Sequence, residues 1–158
     1  MAAQFEKAVV TDEGRSLIAG SEGTQTAIEF TGMATGAGVY TAAQATVAEL
    51  KVKTELQDQK QLFPISGLRK YNTETALVKG VLTNEDLEEA YNWNEVGIYA
   101  RLKGSGLDPI LFATFIIVEG EAAGISVPPS SRMTAMAKRM GSSPDPLSLA
   151  YMPTSFQL

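Results

Sequence analysis

Tyr91-Asn92-Trp93-Asn94-Glu95-Val96-Gly97-Ile98-Tyr99-Ala100-Arg101 is the stretch that sets the architecture of this chain. Its aromatic and β-branched residues fit a pleated, half-buried surface, and they predict one continuous β-strand. Because side chains alternate across a strand, Val96, Ile98 and Ala100 share one apolar face, which we expect to point into the core. Gly97 lies on the other face and has no side chain, which predicts that another backbone or an aromatic ring lies close over it.

Glu95 places a carboxylate inside this strand, two residues from Trp93, which is the only tryptophan of the chain. One interpretation is a half-exposed acid that pairs with a neighbouring strand, because charged side chains are seldom fully buried. The other is a partly buried acid that accepts hydrogen bonds from backbone N–H groups at a subunit or sheet junction. The sequence leaves both interpretations open.

Two short helices are predicted near the N-terminus. The first lies within residues 5–20, where Thr11 is a suitable N-cap ahead of two acidic residues and Gly20 is a suitable C-cap. The second covers Thr41 to Glu49, which is rich in alanine and begins with a capping residue. Between these helices, Ala27 to Met33 is predicted to be a strand.

The glycine-rich stretch Ala34-Thr35-Gly36-Ala37-Gly38-Val39-Tyr40 follows that strand. A glycine turn after a strand can cradle a phosphate. This one lacks the Gly-Lys-Ser/Thr ending of a P-loop and the third glycine of a dinucleotide fingerprint. The stretch therefore favours a tight backbone turn, since glycine readily adopts strained dihedral angles.

Further strands follow in the second half of the chain. Pro64 restricts its segment to a sheet edge or a strand end. Lys70 to Leu82 is predicted to be a strand, and residues 83–87 a helical turn. Ile110 to Val118 is predicted to form an antiparallel hairpin with the strand around Glu95. This order of elements predicts the α+β class, with a mainly antiparallel sheet or sandwich and two short N-terminal helices.

Composition narrows the classes of function. The chain has 158 residues, of which 44% are hydrophobic, and its net charge is −5. An acidic chain without a basic stripe favours neither nucleic acid nor an anionic membrane as a partner. There is no apolar run of the roughly 18 residues that span a bilayer, and no secretory signal is expected. Cysteine and histidine are both absent, which excludes a thiol nucleophile and a Ser-His-Asp triad, and we expect no metal or other cofactor.

The C-terminal part differs in composition from the rest. We expect residues 1–127 to form the main domain and residues 128–158 a loosely held extension, which is rich in Met, Ser, Pro and basic residues. A disturbed reading frame is a second explanation. Joining each codon's third base to the next two bases places Asp, Gly and Gly opposite Met133, Met136 and Met140, because Met has a single codon. Those residues suit a polar loop between strands.

Four short motifs occur in order between residues 6 and 121. They are a helix start, a strand with its glycine turn, the strand around Glu95 and the strand after it: Thr11-Asp12-Glu13-Gly14 with Leu17-Ile18-Ala19, Phe30 to Gly38, Asn94 to Ala100, and Leu111-Phe112-Ala113. In this order they resemble the N-terminal attachment domain of bacteriophage tail-fibre (tail-collar) proteins. Asn94 to Ala100 is the most specific of the four.

The resemblance implies a virion structural protein and not an enzyme. Such a protein is made in the bacterial host cytoplasm, resides in the tail of a phage or of a prophage-derived particle, and anchors a fibre to the baseplate. The implied partners are further copies of itself, usually in a homotrimer, and phage baseplate or tail proteins. The family's distal receptor-binding region has no sizeable counterpart here, which favours an attachment role.

An oligomer of this kind would bury apolar residues that a monomer exposes. The candidate interface residues are Phe5, Val9, Val10, Tyr40, Trp93 and Glu95. The alternative function is a small receptor- or carbohydrate-binding module of a phage-derived particle, for which Tyr91 and Trp93 would supply exposed aromatics beside Asn92 and Asn94. An enzymatic interpretation would require paired carboxylates in one cleft, such as Glu85 and Glu95.

Overall fold

The computed structural model of the chain describes residues 9–70, 75–85, 87–116, 125–127 and 150–157. Within these ranges the chain is mostly antiparallel β-sheet with two helices. The elements in chain order are β1 (Val9–Val10), α1 (Asp12–Thr24), β2 (Ile28–Gly36), α2 (Val47–Lys51), β3 (Gln59–Lys70), β4 (Thr75–Leu82), β5 (Tyr91–Trp93), β6 (Glu95–Leu102), β7 (Ile110–Ile116), β8 (Ile125–Val127) and β9 (Ala150–Gln157).

Seven strands form one sheet in the order β1-β7-β6-β2-β3-β4-β9, and β5 pairs with β8 in a second, two-stranded sheet. Every pair is antiparallel, including the predicted β6–β7 hairpin, in which Ile98 lies opposite Ala113. On its other side β6 pairs with β2, where Ile98 lies opposite Met33. The α+β class with a mainly antiparallel sheet and two short helices is therefore confirmed, and the sandwich alternative stays a prediction.

The apolar face of β6 forms the centre of the main core. Val96, Ile98 and Ala100 are fully buried, as their alternation predicts. The opposite face at Gly97 differs from the prediction of a backbone or an aromatic ring, because two aliphatic side chains lie over it. A Cβ built on Gly97 would lie 2.8 Å from Leu111 and 3.1 Å from Leu56.

Helix α1 begins where the sequence predicts and ends later. The Thr11 hydroxyl accepts a hydrogen bond from the Gly14 N–H at 2.9 Å, so the predicted N-cap is confirmed. The predicted C-cap at Gly20 is wrong, since the helix continues to Thr24 and is capped by Gln25 in a left-handed conformation with φ 53°. A glycine inside a helix costs only ~1 kcal/mol, which packing against the sheet offsets.

The second predicted helix, over residues 41–49, is mostly wrong. Residues 42–45 form turns, and α2 begins only after Thr46, whose hydroxyl accepts a hydrogen bond from the Glu49 N–H at 3.3 Å. The Gln44 side chain accepts hydrogen bonds from both the N–H and the hydroxyl of Thr41. Together with the bond from the Ala45 N–H to the Thr41 carbonyl at 3.0 Å, these bonds close one capped turn, which the extended backbone of Thr46 (ψ 151°) ends before α2 begins.

Pro64 lies inside β3, where the sequence predicted an edge or a strand end. It is in register with Gly32 of β2, whereas the register with β4 begins one residue later, at Ile65 opposite Gly80. The missing N–H of Pro64 therefore falls where β3 changes partners, a position at which proline is tolerated. The Leu87 N–H donates to the Asn84 carbonyl at 3.2 Å, and the predicted helical turn over residues 83–87 includes Asp86, which lies outside the described residues.

The C-terminal strand β9 pairs with β4 from Ala150 opposite Leu82 to Gln157 opposite Thr75. Residues 128–149, which include most of the predicted extension and the candidate frame disturbance, lie outside the described residues. The division into a domain 1–127 and an extension 128–158 stays a prediction.

Candidate functional site

The Glu95 carboxylate is fully buried at the first residue of β6 and accepts four hydrogen bonds. One oxygen, Oε1, accepts from the backbone N–H groups of Gly38 at 3.1 Å and Asp58 at 2.7 Å. The other, Oε2, accepts from the Gln57 N–H at 3.0 Å and the Tyr40 hydroxyl at 2.5 Å. The interpretation of Glu95 as an acceptor of backbone N–H bonds agrees with these contacts, and the half-exposed surface acid does not.

Two glycines leave room for this carboxylate. A Cβ on Gly36 would lie 2.4 Å from Glu95 Oε1, and a Cβ on Gly38 would lie 2.7 Å from the same atom. Neither glycine has a positive φ; among the described residues the positive-φ glycines are Gly104 and Gly106, in the hairpin loop. The expected strained dihedrals are thus not the reason for Gly36 and Gly38, which are required by the close approach of a side chain.

The stretch Tyr91–Arg101 is not the single strand that its pattern predicts. It is interrupted at Asn94, where the backbone N–H donates to the Gly36 carbonyl at 3.0 Å and the side-chain amide donates to the Ala37 carbonyl at 3.3 Å. Through these bonds Asn94 holds the glycine turn beside Glu95. The turn can therefore close over the carboxylate from one side while residues 57–58 close over it from the other.

In this arrangement the N–H and O–H groups of the protein stabilise the buried negative charge of Glu95. An isolated buried carboxylate is very costly, whereas one that receives several N–H and O–H bonds is not, because bonds to an ionised acceptor are about twice as strong as neutral ones. Burial, the hydrogen bond to Glu95 and the charge of Glu95 together raise the pKa of Tyr40 far above its ordinary value, so the phenol remains a donor. The Lys53 ammonium lies 5.0 Å above the centre of the Tyr40 ring, within reach of a cation–π contact.

The glycine turn does bind an anionic group, but the group belongs to the protein itself. The Gly38 N–H, which a phosphate cradle would use, is bonded to Glu95. The preference for a structural turn over a phosphate site is thus explained by an internal carboxylate that occupies the turn.

A second buried polar network adjoins the first. The Tyr91 hydroxyl lies 2.7 Å from the Thr35 hydroxyl and donates to the Gln61 side chain at 2.6 Å. The Gln61 amide donates in turn to the Thr83 carbonyl at 2.8 Å. Burial raises the pKa of Tyr91, and the bond from Thr35 partly opposes this shift. The Tyr91 side chain therefore links β5 to β2 and β3 through hydrogen bonds.

The predicted interface residues are distributed as follows. Val9, Tyr40, Trp93 and Glu95 are buried within the single chain, and Val10 is half-buried. Phe5 lies outside the described residues. Their participation in an interface stays a prediction, and within one chain these side chains already have an internal role.

The carboxylate pair required by the enzymatic interpretation does not share a cleft. Glu85 is exposed in a turn, whereas the Glu95 carboxylate has no exposed surface. Gln57 and Asp58, which supply two of the four bonds to Glu95, were missed by the sequence reasoning. Backbone donors are independent of residue type, so their sequence carries no signal for this role.

An open groove of about 560 Å³ lies on the sheet, lined by residues of β2, β3 and β6. Leu62 is 62% exposed at the groove, and the Tyr99 hydroxyl donates to the Gln59 side chain at 3.0 Å. Burial raises the pKa of Tyr99, and the charges of Glu55 and Glu95 raise it further. The groove is mostly apolar, and its lining consists of Thr31, Gly32, Gln59, Leu62, Phe63, Pro64, Tyr99 and Pro109.

The described part of the chain contains no group of three His, Cys, Asp or Glu side chains that could hold a metal ion. None of its helices is long and apolar enough to cross a membrane. Comparisons with family models, curated proteins and solved structures found no match to this chain.

Proposed function

We propose that this protein is a virion structural protein that attaches a tail fibre to the tail or baseplate of a phage or phage-derived particle, as a homotrimer. The proposal rests on the resemblance to tail-fibre attachment domains. One structural observation supports it: the four motifs that carry the resemblance, although separated in sequence, lie next to one another in space.

Hydrogen bonds and strand pairing connect the four motifs one after another. The Thr11 N–H donates to the Phe112 carbonyl at 3.0 Å, and the Thr11 hydroxyl donates to the Leu111 carbonyl at 2.5 Å, so the helix start is fixed to β7. Strand β7 pairs with β6, and β6 pairs with β2 along its whole length. Motifs that build one continuous body are expected if they specify a common scaffold.

The saturated carboxylate agrees with this role. Glu95 is the one buried acid among the described residues, and both of its oxygens are already bonded to protein donors. Such a group offers no free lone pair in a cleft for proton transfer, and its bonds instead fix the relative positions of several segments.

Three measurements test the proposal. Mass photometry of the full chain is expected to give a species three times the 16.9 kDa chain mass. Mass spectrometry of gradient-purified particles from the source strain should detect the protein, and immunogold electron microscopy should place it at the tail end. A strictly monomeric chain that is absent from the particles would contradict the proposal.

The alternative function, a receptor- or carbohydrate-binding module, would use exposed aromatic side chains, and the two candidates are not exposed. Tyr91 and Trp93 are buried, and of the neighbouring amides only Asn92 is well exposed. A glycan array with the isolated chain separates the two functions. Reproducible binding to one glycan class would favour the module, whereas particle association without glycan binding would favour attachment.

A further inference from the structure

We propose that residues 37–58, the connection between β2 and β3, form a lid that opens as one unit and that Glu95 is the latch that holds it closed. Strands that pair directly are usually joined by ~2–5 residues. This connection is much longer, yet its ends meet, because the Ala37 N–H donates to the Asp58 carbonyl at 2.9 Å.

The latch engages both ends of the lid. Gly38 and Tyr40, near its start, and Gln57 and Asp58, at its end, all donate to the same carboxylate. Their four bonds therefore depend on one side chain that belongs to the sheet and not to the lid. Loss of that acceptor weakens both ends at once, which is the behaviour expected of a latch.

Between its ends the lid is held loosely. Residues 41–49 are exposed apart from Ala45, which is half-buried, and Val47 and Val52 are each 57% exposed. The side chains that the lid buries against the sheet between its bonded ends are Leu50 and Leu56. Segments with few buried apolar contacts open at a lower free energy than core strands, so the lid is expected to open before the sheet unfolds.

Opening would uncover an apolar strip of the sheet. Under the lid, Leu50 packs with Val9 and Ile116, and Leu56 packs with Ala34 and Leu111. Tyr99 packs against the second of these clusters and also lines the open groove. The strip under the lid is thus continuous with the groove. When the lid is closed it covers this strip, and opening would add the strip to the apolar surface of the groove.

Amide hydrogen exchange followed by NMR tests the lid in the full-length chain. In Glu95→Gln the side chain keeps its shape, but one acceptor oxygen becomes an NH₂ group that cannot accept a bond from an N–H. We expect the amides of Gly38, Gln57 and Asp58 to exchange ~10- to 100-fold faster and by the same factor, which corresponds to the loss of a hydrogen bond to a charged group. The amides of β6 and β7 exchange when the sheet unfolds, so in both proteins they should stay more protected than the three lid amides.

Glu29→Gln is the matched control, because Glu29 is an acid on β2 whose side chain is 43% exposed and pairs with Arg101 at the surface. It should leave lid exchange unchanged. Lid amides that are as protected as those of β7 in the wild type and in Glu95→Gln would show that the lid opens only when the whole sheet unfolds, and this would overturn the proposal. Acceleration at one end of the lid alone would show that it does not open as a unit.

If Glu95→Gln does not fold, Tyr40→Phe and the wild type decide the question. Tyr40→Phe removes one donor to the latch, and we expect the same three lid amides to exchange ~10- to 100-fold faster, by one common factor. In the wild type these amides should exchange faster than the buried amides of β6 and β7. Lid amides that are as protected as those of β7 in both proteins would rule out a separately opening lid.

Discussion

Replacing Gly14 with alanine is expected to destabilise the fold, although the same change at Gly20 of the same helix is expected to stabilise it. In an exposed helix, alanine is favoured over glycine by ~1 kcal/mol because it loses less backbone entropy on folding. The surroundings of the two glycines differ. A Cβ on Gly14 would lie 2.3 Å from the Phe112 carbonyl oxygen, whereas a Cβ on Gly20 would make an ordinary contact with Leu102 at 3.8 Å.

The size of the effect at Gly14 follows from what must move. The obstructing atom is backbone of β7, and it accepts hydrogen bonds from the Thr11 N–H at 3.0 Å and, more weakly, from its hydroxyl at 3.3 Å. Separating the helix from the strand costs ~1–3 kcal/mol for overpacking and ~1 kcal/mol for each weakened bond, less the ~1 kcal/mol gained in helix propensity. The free energy of unfolding should fall by ~2–4 kcal/mol in Gly14→Ala and rise by up to ~1 kcal/mol in Gly20→Ala.

Urea denaturation followed by fluorescence of Trp93, which is buried, measures both variants with one probe. In thermal melts followed by the same fluorescence, the melting temperature should fall by roughly 5–15 °C in Gly14→Ala and rise by about 1–4 °C in Gly20→Ala. The reason is that 1 kcal/mol shifts the melting temperature of a domain of this size by ~2–4 °C. A Gly14→Ala protein as stable as Gly20→Ala would refute the close approach of the helix to β7. Unchanged denaturant slopes would confirm that the comparison reports stability alone.

Three further outcomes are expected. Tyr40→Phe should lower the free energy of unfolding by ~1.5–3 kcal/mol because it removes a bond to the Glu95 carboxylate, whereas Tyr99→Phe should change it by at most ~1 kcal/mol; equal urea midpoints would contradict the first assignment. Since burial raises the pKa of Tyr40, Tyr91 and Tyr99, the folded state retains protons that the unfolded chain loses near pH ~10. Unfolding free energy should therefore be insensitive to these groups below that pH and fall above it, and a flat stability profile up to pH 11–12 by urea titration would oppose this. Trp93→Ala should lower the free energy of unfolding by ~3–5 kcal/mol in thermal melts followed by circular dichroism, and unchanged melting would place the ring outside the core.

The local rules of the sequence identified the scaffold of the protein. The alternation of Val96, Ile98 and Ala100 predicted the buried face of β6, and Thr11 predicted the start of α1. The apolar strand after β6 predicted the antiparallel hairpin, and with it the α+β class. These features depend on neighbours a few residues away, which is why they can be inferred without a fold.

The partners of Glu95 and the reason for its glycines required the folded chain. Its donors lie 37 to 57 residues away, and two of them are backbone groups of Gln57 and Asp58 that any residue could supply. Gly36 and Gly38 are needed because a side chain from another strand approaches them, and that approach exists only after β2 and β6 have paired. Periodicity reports which face of a strand is apolar, but the burial of a charge depends on which distant donors the topology brings to it.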